Sequence, residues 1–521
     1  MSTTIDIAAT ATDRPPVLDD RALFGHPRGL GLLFVTEMWE RFSFYGMRAI
    51  LVLYLLNALK WNKGDAANLY GTYGMLVYLT PVIGGYLADR FIGTRNSLVL
   101  GASIIALGHF TLAFHGMTTF YLGLAFIIIG TGFFKSNVST MVGQIYPVGD
   151  ARRDSGFTIF YMGINLGAAM GPLVCGYLAQ SPSFGWHYGF AAAGVGMVAG
   201  LGTYLWGREK YLPGIGVSAS RRDPGTRKSS AAEVTADPGS KAAMHAVVGA
   251  VGGGVVGWLL GAGNLLGVAM GMVIGAALAI TSLGTRGEER RRVLALVIMV
   301  FFVIAFWAAY EQSGSSMNLF ADKNTNLQAG SFSIPSSWFQ SINPIAILIF
   351  APIFAWMWGG LGRAGKEPAT ALKMVFGLFL LGLGFVFMVI GGAKADTGVL
   401  VSPFWLVAAY TCHTLGELCL SPVGLSYVTK VAPARFASLL MGVWFLANAA
   451  ALKIAGALAA YTPLPGETPA APAAGLAGFV QHVSATNAGF YSIFVVSSLT
   501  AGVIMLLCVP VLKRLTSSVK A

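Results

Sequence analysis

The sequence predicts an all-α integral membrane protein: two six-helix halves plus two inserted helices, fourteen transmembrane helices in all. Three observations carry this expectation. The 521 residues are 55% hydrophobic and only 11% charged, where a soluble domain averages ~25% charged. Apolar stretches of the ~20 residues that a bilayer crossing needs recur along almost the whole chain. The 67 glycines are close to twice the usual ~7% share, and small residues let membrane helices approach closely.

Residues 1–27 are polar and acidic, with no apolar core or small-residue cleavage site, and read as a cytoplasmic tail rather than a signal peptide. Six spans follow at about 28–58, 66–88, 96–114, 118–146, 154–179 and 185–206, giving an N-terminal bundle over 28–206. The stretch 207–242, "GREKYLPGIGVSASRRDPGTRKSSAAEVTADPGSK" and one residue more, is polar and basic and reads as a cytoplasmic linker. Two spans at about 243–262 and 264–284 have almost no polar group, so this inserted pair (243–284) is expected to face lipid and do no chemistry. The C-terminal bundle, 285–514, holds spans at about 293–319, 335–359, 369–391, 402–429, 434–461 and 486–512, before a tail at 515–521. Its loop "TPLPGETPAAPAAG" carries prolines that preclude a regular element.

Charge distribution orients these spans. With the N-terminus inside, the outer connections hold only Lys60, Lys63, Lys323 and Lys394, while the inner ones hold the remaining loop bases, including Arg90, Arg95, Arg152, Arg153, "RGEERRR", Arg363, Lys430 and Lys513. Positive charge concentrates on the cytoplasmic side, so both termini are expected there. The same clustering explains the net charge of +12 without nucleic acid as a partner. The four cysteines, Cys175, Cys412, Cys419 and Cys508, all lie in apolar segments without C-x-x-C spacing, which points to packing rather than a disulfide or metal site.

Several spans carry charge: Glu37, Glu40, Arg41 and Arg48 in the first, then Lys135, Glu311, Glu417 and Lys453. Each costs at least ~2.5 kcal/mol at the bilayer centre, so such groups normally face an interior cavity and pair with one another. Counting from the inner edge at ~1.5 Å per residue gives their depths. Arg48 lies 20 residues past Arg28 and Glu311 lies 19 past Arg292, so both fall in the outer half. Glu37, Glu40, Arg41, Lys135 and Glu417 occupy the middle and inner half. Two layers of opposite charge result, each drawing on both halves of the chain, as alternating access requires. Static glue for folding is the other reading of the same charges. Without Lys453, three cations face four carboxylates. A carboxyl crowded by another in low dielectric holds a proton more easily, and Glu37 and Glu40 sit at i, i+3 on one helix. The stretch "EMWER" is therefore a candidate proton site.

Two families of motif give these charges a context. "GGYLADRFIGTR" resembles the cytoplasmic signature loop of the major facilitator superfamily, matching at Gly85, Asp89, Arg90 and Gly93. "EMWERFSFYG" is similar to the E-x-x-E-R-F-x-Y-Y-G motif of the proton-dependent oligopeptide transporters within that superfamily. "GTGFFKSNVSTMVGQIY", "FYMGINLGAAMGP", "QSINP" and "GELCLSPVGLSYVTKVAP" resemble further signatures of the same transporters, and the match runs from about 28 to 512. Two extra helices between the halves are typical of the family's bacterial members.

The resemblance implies a major facilitator fold and import of di- and tripeptides driven by the proton gradient, in a bacterial inner membrane, with protons rather than a cofactor as the coupling species and a monomer as the working unit. It places the peptide's carboxylate near Arg41, Arg48 and Lys135, with Tyr45 beside them, and its amino end near Glu417, Asn165 and Asn343. Tyr78, Trp307 and Trp444 match pocket-lining positions, although helix packing accounts equally well for the two tryptophans. Glu37 and Glu40, with Arg41 and Glu311, match proton-coupling positions; Arg48 with Glu311 and Lys135 with Glu417 are the expected gating pairs. Phe44 departs from the motif's first tyrosine and Ser136 from the proline usual after the lysine. Lys453 receives no role, and His109 and His413 read as structural. Carriage of nitrate or another small organic substrate is the alternative within transport. An integral membrane enzyme is excluded, because no nucleophile, metal cluster or phosphate loop accompanies His413 or Glu417.

Overall fold

A computed structural model describes residues 20–147, 150–217, 239–260, 265–433, 436–467 and 475–517. Helices dominate. The first six are α1 (Arg28–Leu53), α2 (Lys63–Leu87), α3 (Thr94–Leu112), α4 (Met117–Ile145), α5 (Arg153–Gln180) and α6 (Trp186–Tyr211). The inserted pair is α7 (Gly239–Leu260) and α8 (Leu265–Leu283). Then come α9 (Gly287–Tyr310), the short α10 (Ser316–Asn324), α11 (Ile342–Arg363), α12 (Thr370–Ala395), α13 (Phe404–Val431), α14 (Ala437–Ala459), the short α15 (Gly475–Val483) and α16 (Asn487–Leu515). A two-stranded antiparallel ribbon, Gln328–Ala329 with Phe332–Ser333, follows α10.

Among the described residues nine helical stretches are long and apolar enough to cross a membrane, including Met117–Ile145, Thr370–Ala395 and Asn487–Leu515. The α7–α8 pair contributes two shorter apolar stretches, Ala243–Trp258 and Gly267–Leu283. Helix α1 is absent from the nine because Glu37, Glu40 and Arg41 interrupt its apolar run. Trp206, Trp356 and Leu507 are about three-quarters exposed (73%, 75% and 72%). In water such patches would drive association; in a bilayer they are the lipid contact.

The expected span at 293–319 is not one helix. Helix α9 ends at Tyr310, a 3-10 turn covers Glu311–Gly314, and α10 begins at Ser316. The sequence there, "EQSGSS", explains the break: serines compete for backbone hydrogen bonds, and glycine carries the lowest helix propensity after proline. Likewise the expected span at 335–359 opens as a 3-10 turn over Ser336–Ser341 before α11. Of the proline-bearing loop, Thr462–Glu467 is free of helix and strand, and 468–474 lies outside the described residues. Most of the linker and both extreme termini also lie outside them.

Two compact units emerge, and they do not coincide with the halves of the sequence. The first comprises 1–46, 80–171 and 190–221; the second comprises 47–79, 172–189 and 222–521. Helix α1 passes from one to the other at Gly46, α5 at Pro172, and α2 one residue before Thr80. In the first unit, Leu33, Leu98, Phe134, Met141, Met197 and Tyr204 form the core. Gly167 of α5 lies so close to the α1 backbone that a methyl group there would collide with the Met38 carbonyl oxygen. That close approach brings α5 against the charged turn of α1. In the second unit, Val293, Leu296, Met299, Val300, Val303 and Phe306 recur at helical spacing on α9 and bury against Leu378, Phe385, Tyr491 and Phe494. Phe385 and Phe494 stack with centroids 4.9 Å apart. His413 packs 4.5 Å from Phe385 in this core.

Part of the first half belongs to the second unit because polar bonds tie it there. The Asn57 amide donates to Asp322 at 3.0 Å, Lys63 pairs with Glu467 at 2.6 Å, and Asn318 donates to the Ala49 carbonyl at 2.9 Å. Gln180 bonds Ser336 and Ser337, both at 2.8 Å, and the Trp338 indole donates to the Leu173 carbonyl at 2.9 Å. All of these lie at the helix ends that carry few basic residues.

Candidate functional site

Six of the buried charges form three clusters, one in the first unit and two in the second. In the first unit one turn of α1 carries Glu37, Glu40 and Arg41, exposed to 3%, 1% and 3%. The Arg41 Nε donates to Glu40 and lies 3.1 Å from Glu37 Oε1. One guanidinium therefore serves two carboxylates. Glu37 Oε2, Glu40 Oε1 and Arg41 Nη2 remain without a hydrogen-bond partner among the described residues. Buried polar atoms are almost always satisfied, so this turn holds polar capacity in reserve. Lys135 on α4, half-buried, lies close enough for its charge to act on Glu37.

The two departures from the motif are accommodated here. Arg41 sits 5.1 Å over the Phe44 ring, so the aromatic face that caps the guanidinium persists without the hydroxyl. Ser136 lets α4 run unbroken from Met117 to Ile145, where proline would remove a backbone donor. Tyr45 is half-buried with its ring edge-on to Phe44 at 5.1 Å. Asn165 is buried at 4% and its amide donates to the Tyr161 carbonyl one turn back at 2.9 Å.

The second cluster joins α1 to the turn after α9. Arg48 Nη2 donates to Glu311 Oε2, and Arg48 Nε donates to the Tyr70 hydroxyl of α2 at 2.8 Å. The guanidinium also lies 5.5 Å over the Tyr70 ring. Arg48 is 9% exposed and Glu311 5%. Gly314 is required at the edge of this cluster, since a methyl group there would collide with the Tyr70 hydroxyl. Counting depth along the sequence thus matched two residues 263 positions apart that are in contact.

The third cluster surrounds Glu417 on α13, exposed to 8%. Its Oε2 accepts from the Tyr310 hydroxyl at 2.6 Å and the Asn343 amide at 2.9 Å. Asn343 donates as well to Thr414 Oγ1 at 3.0 Å. No cation faces Glu417 within the second unit among the described residues. Lys135 and Glu417, expected to pair, fall in different units. Trp307 is half-buried with its ring 4.9 Å from Tyr310, whereas Trp444, at 4%, is part of the second unit's core. Tyr78 packs on the small apolar cluster of Met75, Met270, Leu446 and Ala449.

Tyr70, Tyr310 and Thr414 belong to these clusters and were not singled out by the sequence. Tyr310 directly precedes Glu311, the one available signal. Because the helix breaks between them, adjacent residues serve separate charges: Tyr310 reaches Glu417 and Glu311 reaches Arg48. Among the described residues no group of His, Cys, Asp and Glu could hold a metal ion.

Comparison with known proteins places this geometry. The model of the POT family matches residues 95–471. An uncharacterized transporter of Bacillus subtilis is 41% identical over 502 residues, covering 95% of this chain and 96% of its own. A di-/tripeptide transporter of Lactococcus lactis subsp. cremoris is 37% identical over 448 residues, covering 82% and 88%. The crystal structure of a peptide transporter POT in complex with sulfate superposes with a TM-score of 0.78 at 36% identity, over 96% of this chain and 98% of that one.

Proposed function

The chain belongs to the POT family, and from that premise we propose that it is a proton-coupled symporter importing di- and tripeptides by alternating access. It works in a bacterial inner membrane with both termini in the cytoplasm, the side on which its loop bases concentrate. The observation that carries the substrate is Glu417: a buried carboxylate held by two neutral donors, with no cation opposite it in its own unit. A buried carboxylate whose own unit offers it no counter-charge among the described residues is costly, and a peptide's ammonium supplies that charge. The remaining carboxylate oxygen receives it, while Tyr310 and Asn343 fix the orientation of Glu417. Arg41, Arg48 and Lys135 are the cations for the peptide's carboxylate, whose two ends stay constant while the side chains vary.

Proton coupling falls to Glu37 and Glu40. A single guanidinium neutralises one carboxylate, so a proton on the other relieves the repulsion, and the unpaired oxygens of both residues leave room for it. Arg48 and Glu311 form the outer gate; their burial as a pair, and the polar bonds at that end of the second unit that join the two sequence halves, support this reading. Release of that pair opens the outer end when protons and peptide exchange.

Proteoliposome uptake of labelled dialanine under an inward proton gradient tests this reading. Uptake that saturates, stops when an uncoupler collapses the gradient and ignores excess nitrate is the expected result. Dialanine exclusion together with nitrate accumulation would overturn it in favour of an anion carrier.

A further inference from the structure

The base-rich ends of α9 and α16 take no part in the transport cycle. They meet at a recess of about 570 Å³, lined by Arg291 of α9, by Lys513, Arg514 and Leu515 of α16, and by Ser517 just beyond. Three cations face this space, and no carboxylate lines it among the described residues. None of the three forms an ion pair among those residues, whereas Arg28, Arg95, Arg152, Arg292 and Lys373, also in connections or helix ends on that side, each pair with a carboxylate.

Membrane topology accounts for bases on that side, but not for their convergence from the first and last helices of the C-terminal bundle. Lys513 and Arg514 complement the carbonyl end of α16, but Arg291, in the second turn of α9, stands near an amide end where a cation gains nothing. Like charges gathered at one recess repel one another, and an anion relieves that repulsion. From the recess each helix carries an exposed apolar stripe. On α9, Leu294 and Phe301 continue the face of Arg291; on α16, Val511, Leu507 and Val503 continue that of Arg514. Arg291 to Phe301 is ten residues and Arg514 to Val503 eleven, a rise of ~15 Å each. That is the depth of one leaflet, half of the ~30 Å hydrocarbon core. A cationic recess at the head of apolar stripes one leaflet long has the form of a phospholipid.

We propose that this recess binds an anionic phospholipid of the inner leaflet, its phosphate among Arg291, Lys513 and Arg514 and its acyl chains along the two stripes. The bound lipid bridges the ends of α9 and α16 and offsets the repulsion between them. Basic recesses between transmembrane helices on the cytoplasmic side suit such headgroups. The choice of leaflet rests on the orientation proposed above; the binding does not.

Native mass spectrometry of the full chain in a non-ionic detergent, with phosphatidylglycerol and phosphatidylcholine in equal amounts, tests the proposal. One phosphatidylglycerol is held with a preference of about fivefold or more, the factor that a single base near an anionic surface contributes. Arg291→Gln, Lys513→Gln and Arg514→Gln together abolish the preference. Each of the three alone lowers it, which keeps the test open if the triple variant fails to fold. Arg153→Gln, Arg363→Gln and Lys366→Gln together remove three exposed bases elsewhere on the same side and leave it intact. Equal loss in both triple variants, or a preference that survives the first, would overturn the site. Displacement by inorganic phosphate beyond that caused by acetate at equal ionic strength would assign the recess to a soluble anion instead. Ser517→Cys, in a background lacking the four native cysteines, stays unlabelled by a membrane-impermeant maleimide in intact cells. Labelling there would overturn the leaflet and the orientation and leave the binding result standing.

Discussion

Replacing Arg48 by alanine separates the gate from the scaffold. Arg48 is the only group that donates to the Glu311 carboxylate among the described residues, and Glu311 is 5% exposed. Removing one partner of a buried pair costs ~3–5 kcal/mol, because the other charge is stranded. At 1.4 kcal/mol per tenfold, the closed outer end loses about two to three and a half orders of magnitude in population relative to the open one, where Glu311 is hydrated. The reverse substitution is milder. Glu311→Gln leaves Arg48 bonded to the Tyr70 hydroxyl at 2.8 Å and over its ring, and a desolvated cation–π contact alone is worth ~2 kcal/mol. The reporter is Ser315→Cys, a position 1% exposed just past Glu311, in a background lacking the four native cysteines. Labelling by a membrane-impermeant maleimide is fastest in Arg48→Ala, intermediate in Glu311→Gln and slowest in the parent. Swapping the two charges slows it again. Parent-like labelling in Arg48→Ala, or faster labelling in Glu311→Gln than in Arg48→Ala, would show that this pair does not hold the outer end closed.

Three more outcomes are expected. Glu37→Gln or Glu40→Gln abolishes accumulation of peptide against its gradient but spares peptide counterflow, and uphill accumulation by both variants would remove the proton from that turn. Glu417→Gln weakens peptides with a free amino end by about ten- to a hundredfold, from the ~1.5–3 kcal/mol of a charge-assisted contact, while N-acetylated peptides bind nearly as before; Tyr310→Phe gives a smaller loss of the same kind, and a titration in which both peptide classes weaken equally speaks against the ammonium site. At the entrance to α1, burial and the Arg152 charge hold His26 below its ordinary value of 6.5, against the opposing pull of Asp150, while its ring bonds the Tyr146 hydroxyl at 2.8 Å and meets Ser155 at 3.4 Å. Between that lowered value and 6.5 the unfolded segment binds more protons than the folded one, so its stability rises with pH and is lost as pH falls below about 6.5. Hydrogen exchange at 23–28, corrected for intrinsic rates, accelerates on acidification in the parent and not in His26→Gln; matching slopes would dismiss the effect.

The charged framework was legible because charge inside a membrane span is rare and costly. Glu37, Glu40 and Arg41 cluster as the spacing required, and equal depth predicted the contact of Arg48 with Glu311. The neutral partners were not legible. Tyr70, Tyr310 and Thr414 are common in helices, and what each meets depends on crossings set by close backbone approaches such as Gly167 on Met38. Nor does a sequence count of spans reveal that α9 stops at Tyr310, since "EQSGSS" lies within an otherwise apolar run. Compact units were obscured for a related reason: α1, α2 and α5 each contribute to both, and linear boundaries cannot divide a helix lengthwise.

The break after Tyr310 has a consequence for how this segment can change over time. Each residue added to or removed from a helix rotates everything beyond it by about 100°, given 3.6 residues per turn. Tyr310 and Glu311 are neighbours aimed at different partners, so a one-residue insertion or deletion near the end of α9 misaims both sites together. Substitution can retune either one alone. Length variation in the chain should therefore be tolerated in the linker and the proline-bearing loop and excluded between Trp307 and Ser316, and a functional variant with an altered length there would contradict it.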